Sequence, residues 1–243
     1  MFFWNIAQSL KNGASISDTI VMILAFICVV AFSISFHEFA HAYVAYRCGD
    51  DTAKIAGRMT LNPIKHFDLV GILMFLIVGF GYAKPVPVNS YNFNNYKKGR
   101  IAVSLAGITA NLILASLGIL FLFLVAKLEV NISTGVPSKF VVVLINFLFY
   151  FCIYMVLSNF MLAFFNLLPI APLDGFNFLA SILPSDNKFL QFMHQYGRFV
   201  LYGIILLSWA SRTISAYVPI LRYLDIFSVF GDLILDLIAA IIL

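Results

Sequence analysis

Residues 140–173 read FVVVLINFLFYFCIYMVLSNFMLAFFNLLPIAPL, without a single Asp, Glu, Lys or Arg until Asp174 closes the run. A stretch of about 18 or more mostly apolar residues has the length of a membrane-crossing helix. Ile20–Phe36 and Ile101–Ala126 are likewise free of charge. Across the 243 residues, 62% are hydrophobic and 11% charged. Soluble domains average about 45–50% apolar and about 25% charged, and a fold of this size cannot hide such an excess from water. A soluble enzyme, a disordered chain and a nucleic-acid module are excluded. The reading is an all-α, polytopic transmembrane bundle with about five to six membrane segments.

Working outward, residues 1–19 read as an N-terminal interfacial segment, with Phe2, Phe3 and Trp4 suited to the headgroups. This end lacks the basic region and small-residue cleavage site of a secretory signal, so the first span is expected to stay as an uncleaved anchor. A catalytic membrane core is expected over 20–185, with spans near 20–46, 101–126 and 140–165. Further transmembrane helices are expected over 186–243, one of them near 198–221, with a break around Arg212 and Pro219. Residues 127–139 read as an outside turn. Near 69–94 the apolar stretch is too short to cross a ~30 Å core. It is flanked by Arg47, Lys54, Arg58 and Lys65 on one side and by Lys84, Lys97, Lys98 and Arg100 on the other. Two basic loops favour a re-entrant or extended element with both loops cytoplasmic. The formal charge of +4 suits loops against anionic lipid and gives no reason to expect nucleic acid. Cys28, Cys48 and Cys152 read as reduced packing residues.

The ionisable exceptions carry the chemistry. His37-Glu38-Phe39-Ala40-His41 fits H-E-x-x-H. Residues four apart share a helix face, so both imidazoles can reach one Zn²⁺, while Glu38 is suited to act as general base. Three ionisable groups at the end of an uncharged span would each cost about 2.5–3.5 kcal/mol at the bilayer centre, and a metal is the partner that explains them. A catalytic zinc needs a third protein ligand. Asp174 is placed for it, on a segment where Pro169 and Pro172 break the helix and Gly175 permits a turn. His66, beside Lys65, and His194 read as loop residues at the surface, and Asp68 as a weaker metal candidate than Asp174. Asp225, Asp232 and Asp236 read as a polar stripe on the last helix.

These motifs together resemble the site-2 protease family of intramembrane zinc metallopeptidases, in its compact bacterial form without a PDZ domain. The resemblance is carried by 37–41, by Gly57–Pro63 (GRMTLNP), by Gly81–Asn89 (GYAKPVPVN), by Gly107–Asn111 (G-x-x-x-N) and by Asn166–Gly175 (NLLPIAPLDG). Ile108, Tyr82 and Ala171 depart from the usual Pro, Trp and Pro. None of these removes a group the chemistry needs. The resemblance implies one zinc ion held by His37, His41 and Asp174, with Glu38 activating a zinc-bound water. It also implies Asn166 as a contact to an unwound substrate backbone, with Asn111 either a second such contact or a helix-packing residue beside Gly107, and membrane-anchored proteins as substrates in a bacterial inner membrane. A metal-dependent transporter or channel is the alternative, and it has no need of a carboxylate at 38 that does not ligate.

Overall fold

The computed structural model describes residues 15–71, 81, 83–132, 138–215 and 217–242. Seven α-helices are described: α1 (Ile16–Arg47), α2 (Thr52–Ile55), α3 (Tyr96–Ile132), α4 (Lys139–Leu167), α5 (Asp174–Ile182), α6 (Lys188–Ile214) and α7 (Ile226–Ile242). The described residues contain no strand, only an isolated antiparallel bridge between Phe67 and Ala83. Of the described helices, α1, α3 and α4 are long and apolar enough to cross a membrane. The five to six segments expected from sequence exceed this number. The element expected near 69–94 falls largely on residues 72–80 and 82, outside the described residues. Of its described remainder, residues 69–71 are helical, residues 84–89 belong to no helix or strand, and Ser90–Asn92 make a 3-10 turn.

Local signals set the helix ends. The Ser15 hydroxyl accepts the Asp18 N–H, and Ser138 and Asn187 cap α4 and α6 in the same way. Because Ser15 caps α1, the boundary expected at residue 19 lies inside a helix. The α3 helix continues through residues 127–132, where an outside turn was expected. The Lys127 ammonium lies 4.3 Å from the Phe123 ring centre, so its charge need not end the helix. Near the C-terminus the helix spans 188–214, where 198–221 was expected, since Asn187 starts it and Pro219 begins a separate 3-10 turn.

Small residues let α1, α3 and α4 approach closely, as in other membrane bundles. Ala25, Ser33, Ala42 and Ala45 on α1 and Ala106, Ala110 and Ala115 on α3 are all buried. A Cβ on Gly118 would sit 3.0 Å from Val156 Cγ2. The α7 helix packs Ile234 and Ile238 against Leu122, Val125, Cys152 and Val156. The α6 helix covers the Pro-interrupted link between α4 and α5, where Leu201 packs with Ile170 and Leu173. At Gly197 a Cβ would come within 2.8 Å of the Ala171 carbonyl oxygen.

The expected acidic stripe on the last helix is not there. Asp225 precedes α7, is buried, accepts the Ser228 N–H and pairs with Arg212 at 2.9 Å. Asp232 pairs with Arg222, and Asp236 is exposed. Asp225 therefore clips the start of α7 to the end of α6.

Candidate metal centre

His37 and His41 lie one turn apart near the C-terminal end of α1, and Asp174 is the first residue of α5. The link from Leu168 to Leu173 carries no helix and contains a cis Ala171–Pro172 peptide. Gly175 makes the turn possible, because a Cβ there would collide with the Leu167 carbonyl. The three side chains converge. His37 Nε2 and His41 Nε2 are 3.1 Å apart, and Asp174 Oδ2 is 3.1 Å from His41 Nε2 and 3.4 Å from His37 Nε2.

Both rings are oriented from behind. The Val103 carbonyl can only accept, so the 2.8 Å contact to His41 Nδ1 puts a proton on Nδ1 and leaves Nε2 bare. His37 Nδ1 lies 2.6 Å from Asn111 Oδ1 and donates to it. The two Nε2 atoms thus face a buried oxygen of the Asp174 carboxylate. With both rings neutral, the three atoms offer three lone pairs to a single cation. In a tetrahedral site with metal bonds of about 2.0–2.1 Å, ligand atoms stand about 3.4 Å apart, close to the spacings found. The donor set suits a divalent metal, and all three residues line one cavity.

That cavity, about 400 Å³, is bordered by Glu38, Val86, Arg100, Asn166 and Asn177 as well as by the three converging residues. Glu38 is largely buried, and its Oε2 accepts the Val86 backbone N–H at 2.8 Å. The extended stretch that forms this wall is held at several points. Lys84 N–H donates to the His66 carbonyl, Arg58 donates to the Lys84 carbonyl at 2.7 Å, and Asn89 N–H donates to Asp50 at 2.7 Å. Asn94 N–H reaches the Cys48 carbonyl. The two basic loops thus lie on one side of the bundle.

Asp50 is the buried hub of this wall. Burial pushes its carboxyl up, but the Thr52 hydroxyl and N–H, the Asn89 N–H and the Asn92 amide outweigh that and hold it below its usual value of 3.8. A lowered folded value means the stabilisation is complete above the unfolded value and fades as pH falls through the folded one. Protection of the Asn89 amide from hydrogen exchange should therefore hold at neutral pH and decline only below about pH 4. Asp50→Ala should lower that protection by about 10–150-fold at pH 7, since a lost hydrogen bond to a charged group is worth about 1.5–3 kcal/mol. Unchanged exchange in this variant would remove Asp50 as the hub.

Other sequence candidates fall elsewhere. Asn166 lines the cavity, with its Nδ2 donating to the Leu162 carbonyl. Asn111, open between substrate contact and helix packing, is fully buried and its amide is committed to His37 and Asn159. It stands behind the site and off the cavity wall. His66, expected at the surface, is fully buried because the 3-10 turn Pro63–Lys65 folds it inward, where Nε2 donates to the Thr60 carbonyl. His194 is exposed but on α6 rather than in a loop, and Asp68 accepts the Gly71 N–H. The sequence reading missed the Val86 N–H, the Val103 carbonyl and Asn159. Only Asn159 carried a signal, as a polar side chain inside the 140–173 run.

The chain is 43% identical over 156 residues to "Putative zinc metalloprotease YwhC" of Bacillus subtilis (strain 168), covering 63% of this chain and 66% of that protein. It is 35% identical over 100 residues to "Putative zinc metalloprotease Rip2" of Mycolicibacterium smegmatis, covering 38% of each. The Mycobacterium tuberculosis (strain H37Rv) protein of the same name is 36% identical over 101 residues. The chain thus spans less than two thirds of each of these relatives. No solved structure matches it significantly. The model of peptidase family M50 matches residues 25–207, a stretch that takes in both histidines, the aspartate and the helices that carry them. By that match the chain belongs to peptidase family M50, the family of the site-2 proteases.

Proposed function

We propose that the chain is an intramembrane zinc metalloprotease that hydrolyses a peptide bond in or near the transmembrane helix of membrane-anchored proteins. The observation that carries this reading is the triangle of His37 Nε2, His41 Nε2 and Asp174 Oδ2 beside Glu38, opening on one cavity. In this reading those three residues hold one zinc ion, which when bound supplies Lewis acidity and brings the pKa of water to about 7. Glu38 takes a proton from the attacking water and returns it to the leaving amine. The Val86 N–H holds the Glu38 carboxylate by one oxygen, which fixes its direction without neutralising it. Asn166, on the cavity wall, offers an amide to the unwound substrate backbone. An unbroken substrate helix hides its carbonyls in its own hydrogen bonds, so local unwinding precedes attack.

The catalytic core is assigned to 20–185, and 186–243 to helices that brace the Asp174 segment. Basic loops favour the cytoplasmic face, and in this reading the cavity opens toward the cytoplasm of a bacterial inner membrane. A metal transporter is disfavoured, because Glu38 sits within the cavity without belonging to the ligand triangle.

Purified protein should contain about one zinc per chain. Co-expression with candidate single-span proteins should yield fragments that vanish with a membrane-permeant chelator and return with zinc. A folded protein that neither holds zinc nor yields a fragment overturns the proposal.

A further inference from the structure

The two histidines of the metal centre are oriented by different means. His41 donates to a main-chain carbonyl, which leaves no choice of tautomer. His37 faces the side-chain amide of Asn111, and an amide can present either its oxygen or its nitrogen. If the nitrogen faced the ring, Nδ1 would have to accept, the ring proton would move to Nε2, and no lone pair would remain for a metal. Something must settle which end of Asn111 faces His37.

The buried contacts behind Asn111 do so. Its Nδ2 donates to Asn159 Oδ1 at 2.8 Å. Asn159 in turn donates from Nδ2 to the Met155 carbonyl at 2.8 Å and to Ser33 Oγ at 2.8 Å. The Met155 carbonyl has no proton to give, so Asn159 cannot turn over without setting oxygen against oxygen. The order of donors then runs one way, from His37 Nδ1–H to Asn111, from Asn111 to Asn159, and from Asn159 to Met155. Asn111, Asn159 and Ser33 are fully buried, where water cannot replace an unmade hydrogen bond. The relay joins α1, α3 and α4, so it forms only when these three helices are packed together.

We propose that Asn159 is a positioning residue that, through Asn111, holds the His37 proton on Nδ1 and keeps Nε2 free to bind the metal. The proposal rests on the reading of His37 as a ligand. It is separable from that reading because the tautomer exists without metal.

The test uses metal-free, full-length protein labelled with ¹⁵N-histidine, with the His37 ring signals identified by their loss in His37→Gln. The wild-type chain should show the His37 ring protonated at Nδ1 and bare at Nε2. A proton on Nε2 in the wild type overturns the proposal, and this measurement needs no variant of Asn159. Asn159→Leu, close in volume but without an acceptor, should shift His37 toward the Nε2–H form and weaken zinc binding about 10–100-fold by chelator competition. Asn159→Asp, which as the neutral acid can accept from Asn111 and donate to Met155, should restore the wild-type tautomer and affinity. An unchanged His37 tautomer and zinc affinity in folded Asn159→Leu also overturns the proposal. The expected tautomer together with no zinc binding in the wild type would uphold the relay and sink the metalloprotease reading instead.

Discussion

Glu38→Gln should leave zinc bound and abolish proteolysis. The amide has nearly the shape of the carboxylate, and its oxygen can still accept the Val86 N–H that holds the side chain in place. His37, His41 and Asp174 are untouched, so zinc content should match the wild type. What is lost is a proton acceptor beside the site of attack, and general base catalysis contributes about 10²–10⁴-fold. The measurement pairs zinc content with the rate of fragment formation from a co-reconstituted single-span substrate. Full zinc with a wild-type rate would remove Glu38 as the base. Metal transport retained by this variant, alongside a complete absence of fragments from wild type, would favour the transporter.

Gly107→Ala should disrupt the centre from the opposite helix. A Cβ at 107 would lie 2.5 Å from His41 Nε2 and 2.7 Å from His37 Nδ1, and closer still to His37 Cε1. Ordinary carbon contacts are about 3.5–4.0 Å, so either the rings or α3 must move by about 1 Å. The rings are tied to Val103 and Asn111 on α3 itself, and α3 is held by buried Ala106 and Ala110. Overpacking of this kind costs about 1–3 kcal/mol of stability, and a misplacement of about 1 Å costs about 10²-fold in rate. Zinc affinity and cleavage should both fall, with the helices retained by circular dichroism. Gly203→Ala is the control, because a Cβ there meets nothing within 4 Å. Wild-type zinc affinity in Gly107→Ala would mean that α3 can yield where the structure says it cannot.

The three long helices were legible in the sequence because the bilayer punishes charge, so uncharged runs map directly onto spans. His37, Glu38, His41 and Asp174 were legible for the same reason, as rare ionisable groups at the ends of such runs. Spacing put the two histidines on one face, while the broken Pro169–Gly175 segment marked the place of the carboxylate. His66 and Asp225 were out of reach, because their burial depends on a turn and an ion pair formed across the chain. Asn111 was left open between substrate contact and helix packing, because an amide in a motif can serve either. Its true neighbours, His37 and Asn159, come together only through helix packing. The Val86 N–H was beyond sequence reasoning altogether, because every residue but proline carries that donor and only the loop's path makes this one special.

The split origin of the three converging side chains has a consequence for how the molecule is made. Both histidines leave the ribosome on the first described helix, the glycine and asparagine behind them on the next long one, and the carboxylate only after a third has been completed. A chain still in synthesis therefore presents an incomplete donor set and cannot assemble a working hydrolytic centre while its neighbours are being inserted beside it. The order of the helices acts as a clock: the donor set is complete only after the third long helix has been made and Asp174 has followed it.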